Sequence, residues 1–135
     1  MRFMIIVKAT ADTEAGAKPE DRLFHDMAAY HEELAQAGVL LDGSGLQPSS
    51  KGWRIKYDGN TRTLTDGPFA EAKELVAGYT LIQAKSREEA IEWTKRFPNP
   101  MGDGKAAEIE VRQLYELEDF GPSAAIERFR DLGMQ

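Results

Sequence analysis

Residues 3–9 read Phe-Met-Ile-Ile-Val-Lys-Ala, an apolar, β-branched run that suits an extended strand. In a strand Phe3, Ile5, Val7 and Ala9 point one way, and Met4 and Ile6 the other. Both faces are therefore apolar at the strand's middle, whereas a sheet half open to water carries a polar second face. Any fold for this chain has to cover the first strand on both sides. With 135 residues there is material for one ordinary core and not two.

The pattern after this strand alternates between the two regular periods. Thr10 to Lys18 reads as a loop. Pro19 to Ala37 reads as a helix, with Leu23, Met27, Tyr30, Leu34 and Ala37 on one stripe, Pro19 in the first turn and Gly38 as the stop. A second strand runs from Val39 to Leu46, and the glycines inside it point to a bulge or to close approach by another group. Trp53–Tyr57 and Thr61–Thr65 flank Asp58-Gly59-Asn60 and form a hairpin. Val76 to Lys85 is a strand, and Ser86 with Glu89 is a capping box. The helix it opens buries Ala90, Ile91, Thr94 and Phe97 and ends before Pro98. Ala107 to Leu114 is the last core strand. A tail helix capped by Ser123 places Ile126, Phe129 and Leu132 on one side and closes at Gly133.

Without the hairpin, two strand–helix–strand halves remain: a ferredoxin-like βαββαβ α+β fold, with an antiparallel sheet and helices on one face. The helices cover only one side of the first strand. A second copy of the same sheet, related by a twofold axis, is the simplest cover for the other, so a homodimer is expected.

Composition removes several functions. There is no cysteine, hence no disulfide framework, thiol nucleophile or cysteine-held metal. Two histidines leave little for a histidine-rich metal site, so neither metal nor cofactor is expected. The net charge of −6 opposes nucleic-acid binding. No apolar run is long enough to span a membrane, and Met1-Arg2 leads into a strand without signal-peptide features. The expected location is the cytoplasm.

Two groups of charges stand out. Along the last strand Ile109 and Val111 face one way, leaving Glu110 and Arg112 on the face turned to the partner. They are a structural ion pair, part of an edge strand facing solvent, or the wall of a polar cavity between the sheets. The second group is Asp66-Gly67-Pro68-Phe69-Ala70-Glu71-Ala72-Lys73-Glu74, a rigid corner followed by three charges within four residues. Either the charges are a solvated turn or they belong to a site.

This run resembles the signature of the DGPF family within the YCII-related proteins. The likeness extends from Met1 to about Phe120 through Ala37-Gly38-Val39-Leu40, Leu46 with Pro48, Gly78-Tyr79, Ala90-Ile91-Glu92-Trp93 and Glu108-Ile109-Glu110-Val111-Arg112. It divides the chain into a domain over 1–120 and a tail over 121–135. The resemblance implies a ferredoxin-like domain that dimerises through its sheets into an α+β barrel. Some YCII-related proteins are small lyases, and the wider superfamily includes isomerases and metal-free monooxygenases. Other DGPF members are encoded beside alternative sigma factors, which implies a regulatory role. For the YCII-related branch a His–Asp pair is the proposed active site. Met27 stands at the matching histidine position here, Asp42 corresponds loosely to the aspartate, and His31 is the one substitute histidine.

The first expectation is a small anionic or aromatic metabolite held in a polar pocket between sheet and partner. If the protein is an enzyme, a cofactor-independent lyase or isomerase fits. Asp66, Glu71, Glu74 or Glu110 would then move a proton, with His31 as a further candidate, while Arg112 or Lys73 holds an anionic group. Trp53 and Tyr79 are candidate aromatic walls. The alternative is a non-enzymatic regulatory or protein-interaction module, in which the corner and its charges are structural.

Overall fold

The computed structural model describes all 135 residues. In chain order the elements are β1 (Arg2–Lys8), α1 (Ala11–Glu14), α2 (Asp21–Gln36), β2 (Leu40–Gly45), β3 (Trp53–Asp58) and β4 (Thr61–Asp66). These are followed by β5 (Val76–Gln83), α3 (Arg87–Lys95), β6 (Ile109–Gln113) and α4 (Ala124–Asp131). Short 3-10 turns lie at Ser49–Lys51, Ala72–Glu74 and Leu117–Phe120. One antiparallel sheet runs in the order β2-β5-β1-β6, and β3–β4 is a separate ribbon. Each helix crossover passes over one intervening antiparallel strand, which makes the domain a ferredoxin-like α+β fold with an inserted hairpin.

The strand periodicity decides which residues the helices cover. Phe3 and Ile5 of β1 and Ile82 of β5 meet Tyr30 and Leu34 of α2 and Ala90 of α3. Ile5, Leu34 and Ile82 are fully buried, each worth roughly 1.5–3 kcal/mol of transfer free energy. Met4 and Ile6 are half-buried on the opposite face, beside Leu81 and Tyr79 in the β1–β5 register. No helix is long and apolar enough to cross a membrane.

Several local expectations change. Thr10–Lys18 is not all loop: Thr10 and Thr13 cap each other reciprocally, at 3.2 and 2.8 Å, and hold one helical turn, α1. Helix α2 begins at Asp21, because Glu20 is still extended, so Pro19 lies outside the first turn. Ser86 Oγ accepts from Glu89 N (3.1 Å) as a cap should. The return bond, however, runs from Lys85 N to the Glu89 carboxylate (3.0 Å) and not from Ser86 N. In the tail helix only Ile126 is buried, while Phe129 and Leu132 face solvent.

Candidate functional site

The same alternation that buries Ile82 places Val76, Gly78 and Thr80 of β5 on the helix side of the sheet. Gly43 and Gly45 of β2 lie opposite Thr80 and Gly78. Here the sheet has almost no side chains to fill the space under α2. A cavity of about 370 Å³ results, with Gly45, Gly78 and Thr80 in its lining beneath Leu23, Met27 and His31. Phe97, Pro100 and Met101 wall it from the segment after α3. The bulge expected at the β2 glycines falls before them, and the close approach falls on Gly78 of β5. The register slips between Leu40 and Asp42, and an added Cβ at Gly78 would lie 3.0 Å from the Ser44 carbonyl oxygen.

His31 is the polar centre of this cavity. Its Nδ1 lies 2.7 Å from the Met27 carbonyl oxygen, one turn back on α2, and that oxygen can only accept. Nδ1 therefore carries the proton, which leaves Nε2 with a lone pair in the neutral ring. Nε2 is 2.8 Å from Thr80 Oγ1, whose hydroxyl donates to it. Thr80 is only 3% exposed. A methyl group at position 43 would stand 3.6 Å from Thr80 Oγ1 and 3.7 Å from His31 Nε2, so Gly43 keeps the space beside the pair open. Tyr30 and Phe97 close the other side, with ring centroids 5.8 and 6.3 Å from the imidazole.

No Lys, Arg, Asp or Glu lines the cavity. Charges appear in an adjoining hollow of about 360 Å³, which shares Thr13, Pro19, Leu23, Pro100 and Met101 with it and adds Asp12, Lys18, Glu20 and Lys105. Thr10 Oγ1 and Met101 Sδ, 3.5 Å apart, bridge the two segments around it.

The remaining sequence candidates lie elsewhere. Glu110 and Arg112 project from the open face of the sheet and pair at 3.2 Å, with Lys8 Nζ 3.8 Å from Glu110. Tyr79 and Asp42 share that face, where the phenol donates to Asp42 Oδ2 at 3.1 Å. The bond to this carboxylate, followed by its negative charge, pushes the Tyr79 pKa upward. Glu71, Lys73 and Glu74 are exposed and make no ion pair. Trp53 and Asp66 face each other across the base of the hairpin, both exposed. Within one chain, then, Glu71, Lys73, Glu74, Glu110 and Arg112 do not gather around His31.

The Asp66–Phe69 corner serves the packing of its own chain. An added Cβ on Gly67 would lie 1.8 Å from the Ser49 carbonyl oxygen, so no side chain fits. Gly67 N donates to the Gly52 carbonyl (3.0 Å) and Phe69 N to Ser49 Oγ (3.0 Å). The Glu14 carboxylate of α1 accepts from Ser49 N (3.0 Å) and from its hydroxyl. The Arg54 guanidinium covers the Phe69 ring at 3.7 Å, at cation–π distance. The Gly67–Pro68 peptide is cis.

Thr80 was not singled out by sequence reasoning, and the β2 glycines were noted only as a bulge or a close approach. The available signal was a hydroxyl alternating with Gly78 and Ile82 on the strand face assigned to the core.

Comparison with known proteins adds relatives. An uncharacterized protein of Rhizobium meliloti (strain 1021) is 30% identical over 105 residues, 77% of this chain and 85% of that one. Among solved structures, 5-chloro-2-hydroxyhydroquinone dehydrochlorinase from Burkholderia phenoliruptrix AC1100, in complex with 2,5-dihydroxybenzoquinone, aligns with a TM-score of 0.43. The identity is 17%, over 86% of this chain and 95% of that one. The model of the YCII-related domain matches residues 1–117, which take in all six strands and the first three helices. The chain belongs to the YCII-related domain family.

Proposed function

We propose that the protein binds a small, flat, uncharged metabolite in the helix-side cavity and moves a proton on it through Thr80 and His31, as a lyase or isomerase. The observation that carries this reading is the tautomer set for a neutral His31 ring. Its Nδ1–H is satisfied by the Met27 carbonyl, and its basic Nε2 meets a hydroxyl that can turn around. A bound ligand O–H or N–H gives its proton to Thr80 Oγ1 as the threonine proton passes to Nε2, which leaves the ligand as its conjugate base. The resulting imidazolium keeps both hydrogen bonds, because Thr80 Oγ1 changes from donor to acceptor. The uncharged lining favours a neutral ligand, since a buried charge without a partner is expensive. An acidic group on the ligand has counter-charges only at the adjoining hollow, in Lys18 and Lys105.

The open face of the sheet, with Met4, Ile6 and Leu81 between the Tyr79–Asp42 and Glu110–Arg112 pairs, is where a second copy is expected. The carboxylates proposed from sequence belong to that face and to the corner, so acid–base work in this reading falls to His31.

The test is proton exchange. Neutral phenols are screened by nuclear magnetic resonance, and binders are followed for deuterium uptake at their ring carbons from heavy water, which the phenolate left by this transfer undergoes. His31→Gln should slow exchange by about 10²–10⁴-fold while binding changes little. Thr80→Ser should retain most of the rate and Thr80→Val lose it. Ligand-induced shifts confined to the open sheet face, or exchange indifferent to His31, would overturn the reading.

A further inference from the structure

We propose that the β3–β4 hairpin is an arm whose apolar stripe docks on a second copy of this chain. All six residues of each strand are exposed. The register places Trp53, Ile55 and Tyr57 on the same face as Leu64, and these four are 62%, 46%, 63% and 60% exposed. Two-stranded hairpins are marginal by themselves in water, and a contiguous apolar stripe of this kind marks an interaction surface. Arg62, opposite Tyr57, lies over its ring at 4.8 Å, and Asp66 stands opposite Trp53; the rest of the stripe is left uncovered by its own chain.

The base of the arm, by contrast, is held firmly. Gly67 abuts the Ser49 carbonyl and donates to Gly52, Phe69 N bonds Ser49, and Glu14 holds Ser49 in turn. A clamped base and an uncovered shaft suit a projecting arm better than a loop awaiting cover from its own domain.

Charge complementarity selects the occupant. Residues 51–66 carry Lys51, Arg54, Lys56 and Arg62 against only Asp58 and Asp66, in a chain whose net charge is −6. The arm is basic and the rest of the chain holds the whole acidic surplus, so a second copy presents the complement. That surplus repels nucleic acid and anionic membranes from the molecule as a whole, but not a second arm from an acidic surface. Under a twofold axis both arms dock at once, which doubles the apolar area removed from water.

The full chain labelled with 5-fluorotryptophan reports Trp53 and Trp93 separately by fluorine resonance. Sedimentation on the same samples gives the monomer–dimer transition. The Trp53 signal should move with that transition and lose solvent sensitivity, while Trp93 stays put. Ile55→Glu with Leu64→Glu should shift the midpoint at least about tenfold to higher concentration, and about 0.5 M salt should weaken the dimer as well. Lys56→Glu, on the other face of the ribbon, should weaken the dimer without touching the stripe, which keeps the test independent of the fate of the double variant. A dimer in which Trp53 stays in water would leave sheet-to-sheet pairing intact and overturn the arm. So would a monomer at about 200 µM, or a monomeric Trp53 that shifts only on anionic vesicles, which assigns the stripe to a membrane.

Discussion

Gly67 shows how one missing side chain organises a neighbourhood. Its hydrogen faces the Ser49 carbonyl at a place where a Cβ would overlap the oxygen at 1.8 Å. Gly67→Ala must therefore push the corner off the Ser49 turn and break the Phe69–Ser49 bond. Denaturant unfolding should show a loss of about 1–3 kcal/mol, and hydrogen exchange should quicken at Phe69. His31 illustrates the opposite limit. Its place on α2, one turn after Met27, was legible from the sequence. Its partners were not: Met27 O follows from the helix, but Thr80 comes from a strand 49 residues away.

At the scale of elements, α2 and α3 are joined by a buried phenol. Tyr30 Oη donates to the Trp93 carbonyl at 2.6 Å, and burial pushes its pKa up to about 12, with Arg96 opposing and Glu33 adding to the shift. A pKa raised in the folded state gives stability that is complete below the unfolded value near 10 and is lost as pH rises toward 12. Unfolding free energies compared between pH 9 and 12 should fall more for the parent than for Tyr30→Phe, by about 1–2 kcal/mol. The strands show how register reaches function. Because β5 alternates, Gly78, Thr80 and Ile82 turn to the helices while Tyr79 and Leu81 turn away, and β2 adds Gly43 and Gly45 to the emptied side. A slip by one residue would swap the cavity floor for Tyr79.

For the whole molecule, the two-faced first strand remains the organising constraint. The helices cover Phe3 and Ile5, while Met4 and Ile6 stay half-buried on a face the single chain does not close. Ile6 sits between Tyr79 and Glu110 in the two registers, so Ile6→Asp puts a third polar group at the centre of that face. The variant should keep its far-ultraviolet spectrum and sediment as a monomer at concentrations where the parent pairs. A parent that is monomeric throughout would remove the expected homodimer.

The sequence by itself determined the six strands, the longer helices, their order and the ferredoxin-like sheet, though not α1, because strand and helix periods are local and each longer segment carries its own apolar pattern. It also placed Glu110 and Arg112 on the open face, since alternation within one strand needs no distant partner. Tertiary structure decided the rest. The Asp-Gly-Pro-Phe run at 66–69 clamps Ser49 at the foot of the hairpin, through contacts nearly 20 residues apart in the chain. The cavity arose where glycines of two strands came side by side under α2, and a void has no local signature. His31 gained its proton geometry only when Thr80 arrived opposite it. Periodicity says which way a residue points; only packing says what it meets there.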